Sequence, residues 1–134
     1  MLYFAYGSNL NHFQMKKRCN DSIFLKKINL EDFKLTFRSK YRAADIEYKK
    51  DSLVPGGLYK ISKSDEIKLD KYEDYPILYK KYFFYHNDSK IMCYVMRNKT
   101  KFMFPSEKYL NIIKKGYKDC KINPKYLQNI LLRR

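Results

Sequence analysis

The sequence predicts a mixed α+β domain in which short strands and tight turns are interleaved with about three to four helices. Three observations carry that expectation. Apolar or alternating runs end on Gly, Pro or Asn, cap residues mark helix starts near Ser64, Ser106 and Asn123, and aliphatic and aromatic residues extend along the whole chain.

Leu2 to Tyr6 reads as a short, buried first strand that breaks at Gly7-Ser8-Asn9, and Asn11 to Cys19 follows as a short polar helix. Phe33, Leu35 and Phe37 alternate with Lys34, Thr36 and Arg38, which is the period of a half-buried strand. Asp45 to Lys49 is a weaker strand. Ser52 to Ile61 is extended and apolar but contains Pro55 and Gly56-Gly57, residues that inside a strand mark an edge, a bulge or a close backbone approach. Tyr79 to Tyr85 and Ile91 to Met96, separated by His86-Asn87-Asp88-Ser89-Lys90, form a hairpin whose turn residues tolerate tight geometry.

The helices are defined best by their ends. One starts at Ser64 as N-cap, carries Asp65 and Glu66 where the helix dipole favours negative charge, and stops before Pro76. The next begins at Ser106 after Pro105, presents Tyr109, Ile112 and Ile113 as its apolar stripe, and ends on Lys114-Lys115 with Gly116 as the C′ residue. The last has Asn123 as cap and Pro124 at its first position, with Leu127, Ile130 and Leu131 on one face. No repeat, linker or low-complexity tract interrupts this order, so residues 1–134 are read as a single domain.

With 29 Lys and Arg against 14 Asp and Glu, the formal charge is +15, yet the chain is 45% hydrophobic, which excludes the composition of a disordered polyelectrolyte. A basic surface attracts phosphate without reading sequence. Here the lysines fall in pairs scattered along the chain, at Lys16-Lys17, Lys26-Lys27, Lys49-Lys50, Lys80-Lys81 and Lys114-Lys115, whereas a dedicated binder concentrates them on one element. No specific nucleic-acid partner is expected. No run reaches the roughly 18 to 20 apolar residues of a membrane span, and the amino terminus lacks the basic and apolar regions of an export signal, so a cytoplasmic protein without a membrane partner is expected. Cys19, Cys93 and Cys120 are odd in number and far apart, which suits structural thiols. With only His12 and His86, neither at ligand spacing, neither a metal nor another cofactor is expected. A Cys/His nucleophile pair has no sequence context that lowers a thiol pKa.

Two segments are left to carry chemistry. In a helix, Leu69, Tyr72 and Glu73 stand at i, i+3 and i+4, which puts the Glu73 carboxylate on the stripe of two residues expected to face the core. Burial there and the negative end of the helix favour the protonated acid and move its pKa toward the range of proton transfer near pH 7; the alternative is an ordinary ion pair with one of the lysines. The Gly7-Ser8-Asn9 loop after a buried strand offers successive backbone N–H groups to a carboxylate or an oxyanion; the alternative is turn geometry alone.

Four segments taken together resemble a known family. Tyr3-Phe4-Ala5-Tyr6-Gly7-Ser8-Asn9-Leu10, Gly57-Leu58-Tyr59, Leu69-Asp70-Lys71-Tyr72-Glu73 with Pro76 and Tyr79, and Pro105-Ser106-Glu107-Lys108-Tyr109 with Ile112, Ile113 and Gly116 are similar, in this order, to segments of the γ-glutamylcyclotransferases and their γ-glutamylamine and AIG2-like branches. The glutathione-directed branch differs after Gly-Ser, so Asn9 points to the branches named. Asp74 stands where the family usually has Gly, and Ser39 to Asp51 matches no family segment.

The resemblance implies a small mixed β-barrel flanked by helices, with the site at one mouth. It also implies an activity: the α-amine of a γ-glutamyl amino acid or amine attacks its own γ-carbonyl, releasing 5-oxoproline and the amino acid or amine. By the same resemblance Glu73 is the general acid/base. Tyr6, Gly7, Ser8, Asn9, Leu10 and Tyr109 are the substrate-binding residues, Tyr6 and Leu10 by fixing the loop from beneath. The expected partner is a small γ-glutamyl substrate, with the chain a monomer or homodimer. A non-catalytic small-molecule binder, an acyltransferase of the same fold and a basic nucleic-acid-associated module are the alternatives.

Overall fold

The computed structural model describes residues 1–133. In chain order the elements are β1 (Leu2–Ala5), a single 3-10 turn (Ser8–Leu10), α1 (His12–Arg18), β2 (Ile23–Arg38), β3 (Ala43–Lys60), α2 (Lys63–Tyr72), β4 (Tyr79–His86), β5 (Ser89–Met96), α3 (Glu107–Asp119) and α4 (Lys125–Leu132). The strands form one sheet in the order β2-β3-β1-β5-β4. All neighbours are antiparallel except β1 and β5, which run parallel through Leu2↔Ile91 and Tyr3↔Met92. The short β1 thus lies at the centre, and Tyr3, Phe4 and Ala5 are all buried. Such a strand reads as a continuous apolar run because both of its faces are covered.

The sheet is strongly bent but does not close into the expected barrel. Its edge strands β2 and β4 share no ladder. The rings of Phe33 and Tyr82 meet across the opening with centroids 5.4 Å apart, so side chains occupy the space that a ladder, with strands about 4.8 Å apart, would need. The bend comes from shifts in register between Phe24 and Lys26 and between Glu31 and Phe33. At the second shift Asp32 takes φ 64°, and its side chain accepts the N–H of Asp51, itself at φ 66° on the facing strand.

Two strands expected separately, Asp45 to Lys49 and Ser52 to Ile61, are one continuous β3. Gly56 there does mark a close approach: a Cβ would stand 2.4 Å from the carbonyl oxygen of Ala5 and from the Phe4 ring. Along β2, Leu35 and Phe37 are buried as expected, but so are Thr36 and Arg38. The segment after β5 lies against this end of the strand, where Met103 N–H donates to the Phe37 carbonyl and Arg38 donates to that of Thr100.

Helix α2 starts two residues earlier than expected. Ser62, not Ser64, is the cap: its hydroxyl accepts the Asp65 N–H, and the buried Asp65 carboxylate accepts the Ser62 N–H. This reciprocal pair contributes about 1 kcal/mol. The β4–β5 turn contracts to Asn87 and Asp88, both at positive φ, with His86 paired to Ser89. Helix α3 does not end at Gly116 but runs on to Asp119. Gly116 is buried where α3 crosses the loop after β1, and a Cβ would meet Asn11 N and Leu10 Cβ at 2.6 Å. The glycine is required by packing and not by a cap. The last helix begins one residue later than expected, at Lys125 with Pro124 in the cap position, and the Asn123 side chain accepts the N–H of Lys125 just before it. Among the described residues no helix is long and apolar enough to cross a membrane.

Candidate active site

Strand β1 ends at Ala5, and the chain turns over its end as Gly7-Ser8-Asn9-Leu10. The 3-10 turn is closed by Leu10 N–H to the Gly7 carbonyl and Asn11 N–H to the Ser8 carbonyl, both at 3.1 Å. Its first amides, those of Ser8 and Asn9, are the ones a helix start leaves without internal acceptors, and no acceptor within the described residues takes them. Helix α3 holds the loop from outside: Asn11 donates to the Ile112 carbonyl at 3.2 Å, and Asp119 accepts the His12 N–H at 3.0 Å.

Glu73 closes α2 as its C-cap residue, its own N–H donating to the Leu69 carbonyl at 2.8 Å. Leu69 faces the core as the spacing required, but Tyr72 is 46% exposed and lies at the rim. Asp74 has φ 52°, the left-handed conformation that follows many helix ends and that glycine adopts most readily. Glu73 is half-buried and lines a narrow cavity with Tyr3, Tyr6, Gly7, Ser8, Asn9, Ala44, Tyr79, Tyr94 and Tyr109. No hydrogen bond or ion pair to its carboxylate occurs among the described residues. Loss of water around the carboxyl pushes its pKa up to about 7, and the positive charge of Arg18 acts in the opposite sense. The exposed Asp74 is not among the groups that move it.

Five tyrosines wall this cavity. Burial holds all five phenols above their ordinary pKa, and a charge on Glu73 adds to the effect, so they remain protonated. Tyr6 donates to the Tyr94 carbonyl at 2.6 Å, Tyr79 to the Ala44 carbonyl at 2.6 Å, and Tyr94 to the Asp70 carboxylate at 2.6 Å. Tyr109, on the first turns of α3, accepts the Ala44 N–H at 3.0 Å. Ala44 is fixed in turn by its neighbour Asp45, a fully buried carboxylate that meets Lys99 at 2.9 Å, Arg38 at 3.1 Å and the Met96 N–H at 2.9 Å.

At the rim, the Arg18 guanidinium lies 3.8 Å from the centroid of the Tyr72 ring and donates to Asn9 Oδ1 and to Gln14. The Tyr72 and Ser8 hydroxyls are 3.3 Å apart. The cavity beneath measures only about 30 Å³, room for about a single water. Larger hollows lie elsewhere, one of about 500 Å³ between β2, β3 and α4 and one of about 880 Å³ in the gap between β2 and β4. Their carboxylates are Glu47 in the first, paired with Arg38 and Lys34, and Glu31 and Asp32 in the second, and neither hollow is lined by Glu73 or the Gly7 loop, so chemistry and not volume selects the Glu73 cavity.

Of the residues singled out from sequence, Glu73, Tyr6, Gly7, Ser8, Asn9 and Tyr109 meet in this one cavity. Leu10 does not reach it; fully buried, it packs beneath the loop toward Gly57 and Gly116. Tyr3, Ala44, Tyr79 and Tyr94 line the cavity without having been read as site residues. Tyr3 and Tyr79 had a signal, because both stand in segments that carry the resemblance. Ala44 and Tyr94 had none, because long-range pairing brings them in. His12 and Cys120 do come together, 3.5 Å apart, but outside the cavity, and burial pushes the thiol up to about 12. Cys19 and Cys93 are likewise buried free thiols. No group of three His, Cys, Asp or Glu among the described residues is placed to hold a metal.

Comparison with solved structures finds the same architecture. A γ-glutamyl cyclotransferase is 26% identical, with 98% of this chain and 86% of that one covered at a TM-score of 0.79. The uncharacterized protein loc79017 from Homo sapiens is also 26% identical, with 97% and 85% covered at a TM-score of 0.78. YkqA from Bacillus subtilis shares the fold at 20% identity and a TM-score of 0.79, with 98% of this chain but 53% of that one covered. No curated protein sequence matches. A sequence model of the γ-glutamyl cyclotransferase, AIG2-like family matches residues 3–117. By that match, over most of its length, the chain belongs to the γ-glutamyl cyclotransferase, AIG2-like family.

Proposed function

We propose that this protein converts a γ-glutamyl amino acid or γ-glutamyl amine to 5-oxoproline and the free amino acid or amine, with Glu73 as general acid/base. The observation that carries the reading is the Glu73 carboxyl, desolvated to a pKa of about 7, without a protein partner, and sharing a narrow cavity with the amides of Ser8 and Asn9. A carboxyl in that range both accepts and returns a proton near neutral pH.

The α-nitrogen of the substrate forms a bond to the γ-carbon, and the bond from that carbon to the departing nitrogen breaks. The α-ammonium gives up two protons, and the departing nitrogen gains two when released as an ammonium. Glu73 relays them. Both reacting groups belong to one molecule, so holding it folded supplies most of the acceleration, with effective molarities on the order of 10⁵ M or more for well-oriented pairs. The loop amides of Gly7, Ser8 and Asn9 receive the α-carboxylate or the developing oxyanion, Tyr109 adds a phenol contact, and Tyr6 braces the loop. A γ-glutamyl group exceeds the cavity, so the Tyr72 and Arg18 rim moves aside to admit it.

The test is a panel of γ-glutamyl dipeptides, ε-linked γ-glutamyl lysine and simple γ-glutamyl amines, with 5-oxoproline as readout. Active wild type and a Glu73→Gln variant that folds but loses about 10² to 10⁴ in kcat/KM are expected. No lactam from any substrate, or full turnover by Glu73→Gln, overturns the reading.

A further inference from the structure

The cyclisation places negative charge at two points of the substrate, the α-carboxylate and the oxygen of the attacked γ-carbonyl. The loop offers one set of donors. A second set emerges from the directions of the hydrogen bonds around the cavity. Tyr6, Tyr79 and Tyr94 give their phenolic protons to protein acceptors, namely the Tyr94 carbonyl, the Ala44 carbonyl and Asp70. Tyr109 and Tyr3 do the reverse. The Ala44 N–H, which can only donate, points at the Tyr109 oxygen. The Asn9 amide points at the Tyr3 oxygen at 3.0 Å.

Which end of that amide faces Tyr3 is fixed by Arg18. A guanidinium has donors and no acceptor, so the Asn9 atom it contacts is Oδ1, and the atom left for Tyr3 is Nδ2. Tyr3 therefore accepts, and its own proton has no acceptor among the described residues although the side chain is 4% exposed and lines the cavity beside Glu73. A buried donor left without a partner is costly, and here it faces the space where the substrate oxygens are to lie.

We propose that Tyr3 donates its phenolic proton to an anionic oxygen of the bound γ-glutamyl group, and that Arg18 and Asn9 are the positioning residues that keep that proton aimed into the cavity. The inference rests on the cyclotransferase reading. It assigns the Arg18–Asn9–Tyr3 series a polarity, cation to amide to phenol to substrate, that a purely architectural contact would not need. It pairs Tyr3 with Tyr109 as the two phenols whose protons are kept for substrate.

Two substitutions test it. Tyr3→Phe keeps the ring, which packs edge-on against Tyr94, and removes only the hydroxyl; kcat/KM falls about 10- to 100-fold. A fall in kcat identifies the developing oxyanion as the acceptor, and a rise in KM with weaker 5-oxoproline binding identifies the α-carboxylate. Asn9→Asp keeps shape and the Arg18 contact but replaces the amide donor with an oxygen that captures the Tyr3 proton. At the pH plateau of each variant it loses as much activity as Tyr3→Phe while its melting temperature is retained. The double variant is within about two-fold of Tyr3→Phe alone, because both changes remove one interaction. Additive losses, or an active wild type matched by Tyr3→Phe, overturn the inference and leave the function standing. A wild-type chain that forms no 5-oxoproline overturns the function itself.

Discussion

The charge of Arg18 acts on the Glu73 carboxyl against the desolvation that lifts it to about 7. The same guanidinium holds Asn9 and covers the Tyr72 ring, so its place is set by contacts on two sides and not by Glu73 alone. Replacing it with an uncharged chain of similar length removes the positive charge that opposes that rise. In Arg18→Met the Glu73 pKa rises above about 7, measured by carbon-detected NMR titration of the side-chain carboxyl, and the low-pH limb of kcat/KM moves in the alkaline direction with it. A downward or absent shift would show that Arg18 does not set the acid's poise.

Glu73 also has a cost in stability that follows from the sign of its shift. Its folded pKa lies above the ordinary value of 4.5, so between 4.5 and about 7 the unfolded chain releases a proton that the folded chain keeps. Raising pH through that window therefore favours unfolding. Glu73→Gln, which cannot ionise, escapes the penalty. Its stability advantage over wild type is near zero at pH 4, grows to about 1 to 3 kcal/mol by pH 8 and then levels off, as read from urea unfolding at each pH. An advantage that is constant with pH would mean that the carboxyl is not desolvated.

Local rules recovered much of this architecture from sequence. Ser106 caps its helix, and a turn at Asn87 and Asp88 closes the β4–β5 hairpin, because each is decided by residues within a few positions of one another; Gly56 stands out locally as a strand glycine, but the atoms it approaches, in Phe4 and Ala5, lie far back in the chain. The errors have a common origin in contacts across the chain. Ser64 and Ser62 are equally good caps by type, and the choice of Ser62 follows from Asp65 turning inward, where it also accepts the N–H of Asp21. The site shows the same division. Glu73 and the Gly7 loop announce themselves by spacing and composition, but Ala44 belongs to the cavity only because the β2–β3 turn folds back against α3.

Gly116 is the sharpest case, because a local rule and a contact across the chain give opposite answers there. Inside an exposed helix, Gly→Ala stabilises by about 1 kcal/mol. At Gly116 the added carbon stands 2.6 Å from the backbone nitrogen of Asn11 and 2.7 Å from the backbone carbon of Leu10, atoms that cannot move without displacing the loop. The clash outweighs the propensity. Gly116→Ala lowers stability by about 1 to 3 kcal/mol in urea titration and raises KM for a γ-glutamyl substrate, since the loop it displaces carries the Ser8 and Asn9 amides. A stabilised variant with unchanged KM would show that the α3 crossing is looser than this packing implies.

Asp45 supports the opposite wall of the cavity. It is fully buried and gathers Arg38, Lys99 and the Met96 N–H at one carboxylate, directly after the residue that pins Tyr109 and receives the Tyr79 proton. Asp45→Asn removes the negative charge while leaving Arg38, 4% exposed, in place. A buried guanidinium that loses one of its two carboxylates costs more than that pair contributed, and a loss of about 3 to 5 kcal/mol is expected in chemical denaturation. Arg38 keeps Glu47 and the Thr100 carbonyl as partners, which puts the loss nearer the lower figure. A second substitution separates the two effects: Lys99→Met removes the partly exposed cation and costs under about 1 kcal/mol. Equal losses in the two variants would mean that the buried guanidinium is not what makes Asp45 necessary.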